Sequence, residues 1–365
     1  MPTLVDRLLD LAVKIQQVPA PTFKEKKRAL LVRELFRGER LQDVAMDQFH
    51  NVYARLPGRS TSGPLIVTAH LDTVFAGSSN PLAREHDRIH GPGIGDNSLG
   101  VAALLGLVWM LRDDGSERDS DVWLVANSCE EGLGDLRGMK GVVRRFGADV
   151  QGYLVLEGTA LAQVYHRAVG VQRYRVSVGT TGGHSWSDYG QPSAVHELAS
   201  IVTQLTALPL PTRPRTTMNV GTISGGSGVN VLASQAQFEL DLRSEEADAL
   251  GALVATVEER IRSARRAGVE VEMEVVGQRP AGEIPADHPL VQLAVACLAD
   301  EGLNATLTSG STDANIPLSR GFPAIVLGIT TGAGAHTQHE YIDTAPVAKG
   351  MRQLANFVRR LVGMK

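Results

Sequence analysis

Residues 65–74 read LIVTAHLDTV. The apolar run that opens this stretch predicts a buried β-strand, with His70 and Asp72 emerging near its carboxyl end. In a strand, residues two apart share a face. An imidazole and a carboxylate on one face suit a metal ligand and the acid that fixes its tautomer. His-x-Asp alone is a common coincidence. Three more acidic clusters and a late histidine repeat the same placement, and together they decide the reading.

Those clusters follow further apolar runs: VWLVAN (122–127) leads to Glu130 and Glu131, and GYLVLE (152–157) ends on Glu157. PAIVLGI (323–329) precedes His336, and Asp96 sits in the glycine-rich turn GPGIGDNSLG (91–100), ahead of a helix expected from about Ser98 to Arg112. Strands alternating with helices argue for an α/β layer with a mainly parallel sheet. In such sheets ligands bind outside the carboxyl ends of the strands. Buried acids are costly unless paired or bound to metal, so acids and histidines gathered at one sheet edge call for cations.

Between about residues 169 and 281 the pattern changes. YRVSV (174–178), a helix over 193–208, TMNVGTI (217–223), QFELDLR (237–243), a charged helix over 245–267 and VEVEMEV (269–275) give the order β-α-β-β-α-β. That is the split βαβ arrangement of an α+β, ferredoxin-like domain. We therefore expect a catalytic domain of residues 1–168 and 282–365, interrupted by an insertion of residues 169–281, a size typical of a small domain. HRAVG (166–170) and GQRPAGEIPAD (277–287) read as paired hinges.

Composition agrees with two soluble domains: the chain has 365 residues, too many for one ordinary core, with 43% apolar and 21% charged residues. A net charge of -4 gives no footprint for nucleic acid. Leu4, Leu8, Leu11 and Ile15, interrupted by Asp6 and Asp10, mark an amphipathic helix rather than a signal peptide. The near-apolar stretch Val101–Leu111 is far shorter than the ~20 residues of a membrane span, so no membrane segment is expected. Two cysteines, Cys129 and Cys297, are too few for a disulfide framework and point to a reducing cytoplasm.

The ordered set His-x-Asp, glycine turn with Asp, Glu-Glu, strand-ending Glu and His-x-x-x-Glu resembles that of the dinuclear zinc metallopeptidases and aminoacylases. These include peptidase T, glutamate carboxypeptidase, succinyl-diaminopimelate desuccinylase and acetylornithine deacetylase, and the resemblance runs the whole length of the chain. It implies a zinc-exopeptidase-like catalytic domain with an inserted lid and dimerisation domain, working as a homodimer. It further implies two Zn²⁺ per subunit, with Co²⁺ or Mn²⁺ able to substitute. His70 and Glu157 would bind one metal, Glu131 and His336 the other, and Asp96 would bridge them. Asp72 would orient His70, and Glu130 would be the general base acting on a water shared by the metals. His339, which lacks the Glu four residues on, is expected to be a loop residue.

In the insertion, composition alone reads GTTGGHSW and SGGSGVN as turns and Arg243 as a surface arginine. By the resemblance, His184 would stabilise an oxyanion in a partner subunit, and Asn230 and Arg243 would hold a substrate carboxylate. His166 and His196 have no such match and read as structural. Asp313, in SGSTDAN (309–315), stands between ligand contact and turn formation. Ser98 replaces the lysine common after the glycine turn, where metal binding should survive. The implied function is hydrolysis of an amide bond in small peptides or N-acyl amino acids. The alternatives are hydrolysis of a carbamoyl or ureido compound, and a catalytically silent metal-binding relative.

Overall fold

The computed structural model describes residues 3–59, 62–77, 80–112 and 117–364. It divides into two compact units, one of residues 1–168 with 283–365, the other of residues 169–282.

The first unit is built on a mixed sheet. Its main strands are β1 (Gln42–Met46), β2 (Val52–Leu56), β3 (Leu65–His70), β4 (Val122–Asn127), β5 (Gly152–Glu157), β6 (Gln163–Ala168), β7 (Thr306–Gly310) and β8 (Ala324–Gly328). They lie in the order β1-β2-β4-β3-β5-β8-β6, with β7 on β6. The pairs β3–β4, β3–β5, β5–β8 and β6–β7 are parallel, while β1–β2, β2–β4 and β6–β8 are antiparallel. Every residue of β3 and β8 is buried, which is why these strands read as unbroken apolar runs rather than alternating ones. Strands β1, β6 and β7 carry exposed or half-buried positions and had no such run to announce them.

Helices α1 (Leu4–Gln16), α2 (Lys26–Gly38), α3 (Gly100–Arg112), α4 (Arg137–Phe146), α5 (Pro289–Asp300) and α6 (Val347–Leu361) cover this sheet. Thr3 and Asp6 form a reciprocal capping box that starts α1. Helix α3 packs against α1, α6 and β3, and its side chains are buried nearly all round. The turn Ile94–Leu99 extends its apolar run, so Ile94–Arg112 is long and apolar enough to cross a membrane; 89% of that window is buried within the fold, as a core helix requires.

The second unit has strands Gly170–Thr180, Thr216–Gly225, Gln235–Ser244 and Val269–Arg279 and helices Ala194–Thr206 and Ala247–Ser263. Its four-stranded sheet is wholly antiparallel, with Gln235–Ser244 and Gly170–Thr180 central. Both helices lie on one face, over Val176, Val178, Phe238 and Leu240. The other face carries cross-strand ion pairs, Arg173–Asp241 at 2.8 Å and Arg175 with both Glu239 and Glu274 at 3.0 Å. That division produces the apolar–polar alternation read from the sequence.

Candidate metal centre and active site

Strand ends place the acids and histidines of the first unit together. His70 closes β3, Glu130 and Glu131 follow β4, Glu157 closes β5, and His336 lies in the loop after β8. Asp96 sits between them in the turn ahead of α3, across a cis Asp96–Asn97 peptide. Its Oδ1 lies 3.0 Å from His70 Nε2 and its Oδ2 lies 3.0 Å from His336 Nε2. His336 Nε2 is also 3.1 Å from Glu131 Oε1, and His70 Nε2 is 3.8 Å from Glu157 Oε2. The side chains therefore sort into two sets that share Asp96. Ligand atoms of His70, Asp96 and Glu131 all fall within 4.8 Å of one another. His70 is buried, whereas the His336 side chain is 54% exposed, so the centre opens to solvent on the His336 side.

The supporting contacts explain why the chain folds this way locally. His70 Nδ1 stands 3.0 Å from the carbonyl oxygen of Asp72 and 3.7 Å from its carboxylate. A proton on Nδ1 donated to that carbonyl leaves Nε2 facing Asp96, as metal binding through Nε2 requires. The imidazole is thus held by the Asp72 backbone. The Asp72 carboxylate instead accepts the N–H groups of Glu130 and Glu131, both at 2.9 Å, and the Thr22 hydroxyl at 3.0 Å. Asn97, fully buried, donates to the Leu156 carbonyl at 2.8 Å and accepts from Gly158 N–H at 3.1 Å, tying the Asp96 turn to the end of β5. A Cβ at Gly158 would lie 2.0 Å from the Gly95 carbonyl oxygen, so only glycine permits that approach. Ser98 donates to the Gly93 carbonyl at 2.6 Å and closes the turn.

Glu340 was visible in the sequence only as the residue four after His336. It is 1% exposed and accepts three backbone N–H groups, from Gly93 at 2.6 Å and from Gly95 and Asp96 at 2.8 Å. One carboxylate thereby joins the His336 loop to the Asp96 turn. Asp313 is fully buried; its Oδ2 accepts from Asn127 Nδ2 at 2.7 Å, and burial pushes its carboxyl well up. His339 lies exposed, and His166 is buried with Nδ1 2.7 Å from the Ile284 carbonyl, a structural contact between the two chain segments that border the insertion.

The electrostatics are those of a site that needs cations. Burial pushes the Glu131 and Glu157 carboxyls up to about 7, with the charges of Asp96 and Glu130 adding to the effect. The Asp96 and Glu131 carboxylates push His336 up to about 10. Burial also opposes the charge on Asp96, but His336 and His70 outweigh it and hold that carboxyl well below its ordinary range. Each histidine Nε2 faces carboxylate oxygens, across a space that a divalent ion could fill. Three carboxylates and two imidazoles, arranged around a shared acid, fit a pair of such ions in ligand type and number.

In the second unit, His184 and Asn230 come together. The short ladder pairs Gly183 with Leu232 and His184 with Val231, and Ser185 N–H donates to the Asn230 carbonyl at 3.0 Å. His184 Nδ1 accepts from Trp186 N–H at 3.2 Å, which leaves the proton of the neutral ring on Nε2. Arg243 lies elsewhere: it pairs across the sheet with Val171, whereas Gln235, at the His184 end of the same strand, pairs with Gly179. Eight residues of strand put roughly 27 Å between those ends. The Arg243 fork is engaged by its neighbour Asp241, through Nε at 2.6 Å and Nη2 at 3.3 Å. His196 is exposed on the helix Ala194–Thr206.

Comparison with known proteins gives this arrangement its context. The chain matches peptidase family M20/M25/M40 over residues 66–360 and belongs to that family. It is 32% identical over 202 residues to a peptidase M20 domain-containing protein of Schizosaccharomyces pombe, covering 54% of this chain and about half (48%) of that one. It is 23% identical to a putative succinyl-diaminopimelate desuccinylase of Mycobacterium tuberculosis, over 96% of this chain and 97% of the other. A tripeptidase from Staphylococcus aureus has the same fold, with a TM-score of 0.83 at 20% identity over 98% of this chain and 99% of that one. The family resemblance drawn from the motifs, and the α/β fold it implied, are borne out.

Proposed function

We propose that this M20/M25/M40 peptidase hydrolyses an amide bond in small peptides or N-acyl amino acids with two zinc ions per chain. The observation that carries this reading is the sharing of Asp96 between two sets of ligands, His70 with Glu157 and His336 with Glu131. Bound there, the ions would supply Lewis acidity toward the scissile carbonyl and the attacking water. Glu130, held beside Glu131 by its N–H bond to Asp72, would take the proton from that water and return it to the leaving amine. Asp72 fixes the direction of both glutamates and, through its carbonyl, the ring of His70.

His184, with a proton on Nε2, is suited to donate to the developing oxyanion. Asn230 and Arg243 would hold a substrate carboxylate, Arg243 with a fork already oriented by Asp241. A homodimer in which His184 serves the partner subunit's site belongs to the same reading. Two free, buried cysteines are consistent with a cytoplasmic enzyme.

Screening di- and tripeptides against N-acetyl, N-succinyl and carbamoyl amino acids, with zinc added to two equivalents, tests the reading. Turnover of a peptide or N-acyl compound is expected. Turnover confined to carbamoyl substrates would replace the substrate class, and two bound metals without turnover of any would point to a silent relative.

A further inference from the structure

The segment 18–28, VPAPTFKEKKR, carried no motif, yet three of its side chains reach the strand ends that bear the metal centre. Thr22 donates its hydroxyl to Asp72 Oδ2 at 3.0 Å. Arg28, fully buried, donates to the Leu71 carbonyl at 2.8 Å. Glu25, 1% exposed, accepts the Cys129 N–H at 3.1 Å and the Phe23 N–H at 2.9 Å on the same oxygen. The backbone follows: Thr73 N–H donates to the Ala20 carbonyl at 2.9 Å, and Pro21 bridges to Thr73.

The Glu25 contact has a specific consequence at the neighbouring loop. Cys129 has a left-handed φ of 58°, a conformation that non-glycine residues adopt only where the surroundings enforce it. The amides of three successive residues are then taken up by two buried acids: Cys129 by Glu25, and Glu130 and Glu131 by the two oxygens of Asp72. With those amides fixed, Glu131 reaches His336 at 3.1 Å. Burying an acid is costly, and a hydrogen-bonded backbone is what compensates it here.

We infer that Glu25 is a positioning residue, whose oxygen holds the Cys129 amide and so aims Glu131 at one metal and Glu130 at the reacting water. The inference rests on the two-metal reading proposed above. Its chemistry requires an acceptor at position 25, not a charge. Glu25→Gln keeps that acceptor, whereas Glu25→Met keeps the length and removes it.

The test is calorimetric titration of the metal-free full chain with Co²⁺, accompanied by the visible spectrum of the bound ion. In Glu25→Met, one of the two Co²⁺ sites should weaken by about 10–100-fold, as partners of metal ligands typically produce, with a changed spectrum. The other site should stay within about threefold, and Glu25→Gln should restore both to within about threefold of wild type. Thr22→Val, a near-isosteric change that removes the hydroxyl holding Asp72, should weaken the same site by a smaller factor and decides the matter if Glu25→Met does not fold. Unchanged Co²⁺ binding in a folded Glu25→Met or, failing that, in Thr22→Val overturns the inference, as does an equal loss in the Gln and Met variants. Fewer than two Co²⁺ sites in the wild-type protein would defeat the two-metal reading itself, and this inference with it.

Discussion

Replacing Glu340 by alanine should destabilise the metal-free protein measurably, although the residue is not itself a ligand in the proposed scheme. Its carboxylate accepts N–H groups from Gly93, Gly95 and Asp96 at 2.6–2.8 Å and is 1% exposed. Leaving a buried donor without a partner costs ~1–3 kcal/mol, so three orphaned amides set a gross loss of about 3–9 kcal/mol. Two effects reduce it. A buried carboxylate carries a desolvation penalty that the variant no longer has, visible in the push of Glu340 up to about 7 by burial. Water entering the vacated space can also satisfy some of the donors. A net loss of about 2–4 kcal/mol is therefore expected, with Glu340→Gln intermediate because its amide keeps one acceptor oxygen. Urea unfolding provides the assay, read as a shift in midpoint at constant slope. A loss below about 1 kcal/mol for Glu340→Ala would refute the reasoning, because that is no more than one ordinary hydrogen bond. Loosening the Asp96 turn should also weaken both metal sites together, since both sets share Asp96.

Three further outcomes are expected. Glu130→Gln should retain both metals but lose about 10²–10⁴-fold in turnover, whereas Glu131→Gln should lose metal affinity first; zinc titration with single-turnover kinetics separates them. The metal-free protein should lose thermal stability as pH rises from 5 to 8. Glu131 and Glu157 have folded pKa values of about 7, above their unfolded values, so their protonated, favourable form is lost as pH climbs through 7. His336, raised to about 10, acts in the same direction above its unfolded value, and zinc should reverse the trend; a flat or rising melting temperature without metal would contradict it. Finally, mixing His184→Ala with Glu130→Gln chains under conditions of subunit exchange should regenerate activity from two inactive parents, and no recovery despite proven exchange would confine His184 to its own chain.

The core strands and the residues gathered at the centre were legible because they stand where strong signals meet. A buried parallel strand is an unbroken apolar run, and a charged residue directly after it has few other reasons to be there, as with His70 and Glu157. The β-α-β-β-α-β order of the insertion was legible for a similar reason, since its one covered face imposes strict alternation. What the sequence concealed is long-range polar support. Glu25 lies in PAPTFKE and contacts Cys129 across 104 positions, and no local pattern distinguishes it from a surface acid. Asp72 was legible as a neighbour of His70, but its hold on the Glu130 and Glu131 amides depends on the left-handed turn at Cys129, which a cysteine does not signal. Strands β1, β6 and β7 escaped notice because partial exposure leaves no continuous run.

The interruption of the first unit by the second has a consequence for biogenesis. His70, Asp96, Glu131 and Glu157 are all synthesised before residue 158, while His336 and Glu340 follow only after the inserted unit and strand β8, which lies between β5 and β6. At translation rates of ~5–20 residues per second, the 179 positions from Glu157 to His336 (336 − 157) take roughly 9–36 s. Until residues 324–328 are made the nascent chain lacks the strand that fills the gap in the sheet, and until residue 336 it lacks one histidine, whereas the inserted unit is contiguous in sequence. Metal captured by the earlier ligands during synthesis would be held by an incomplete shell.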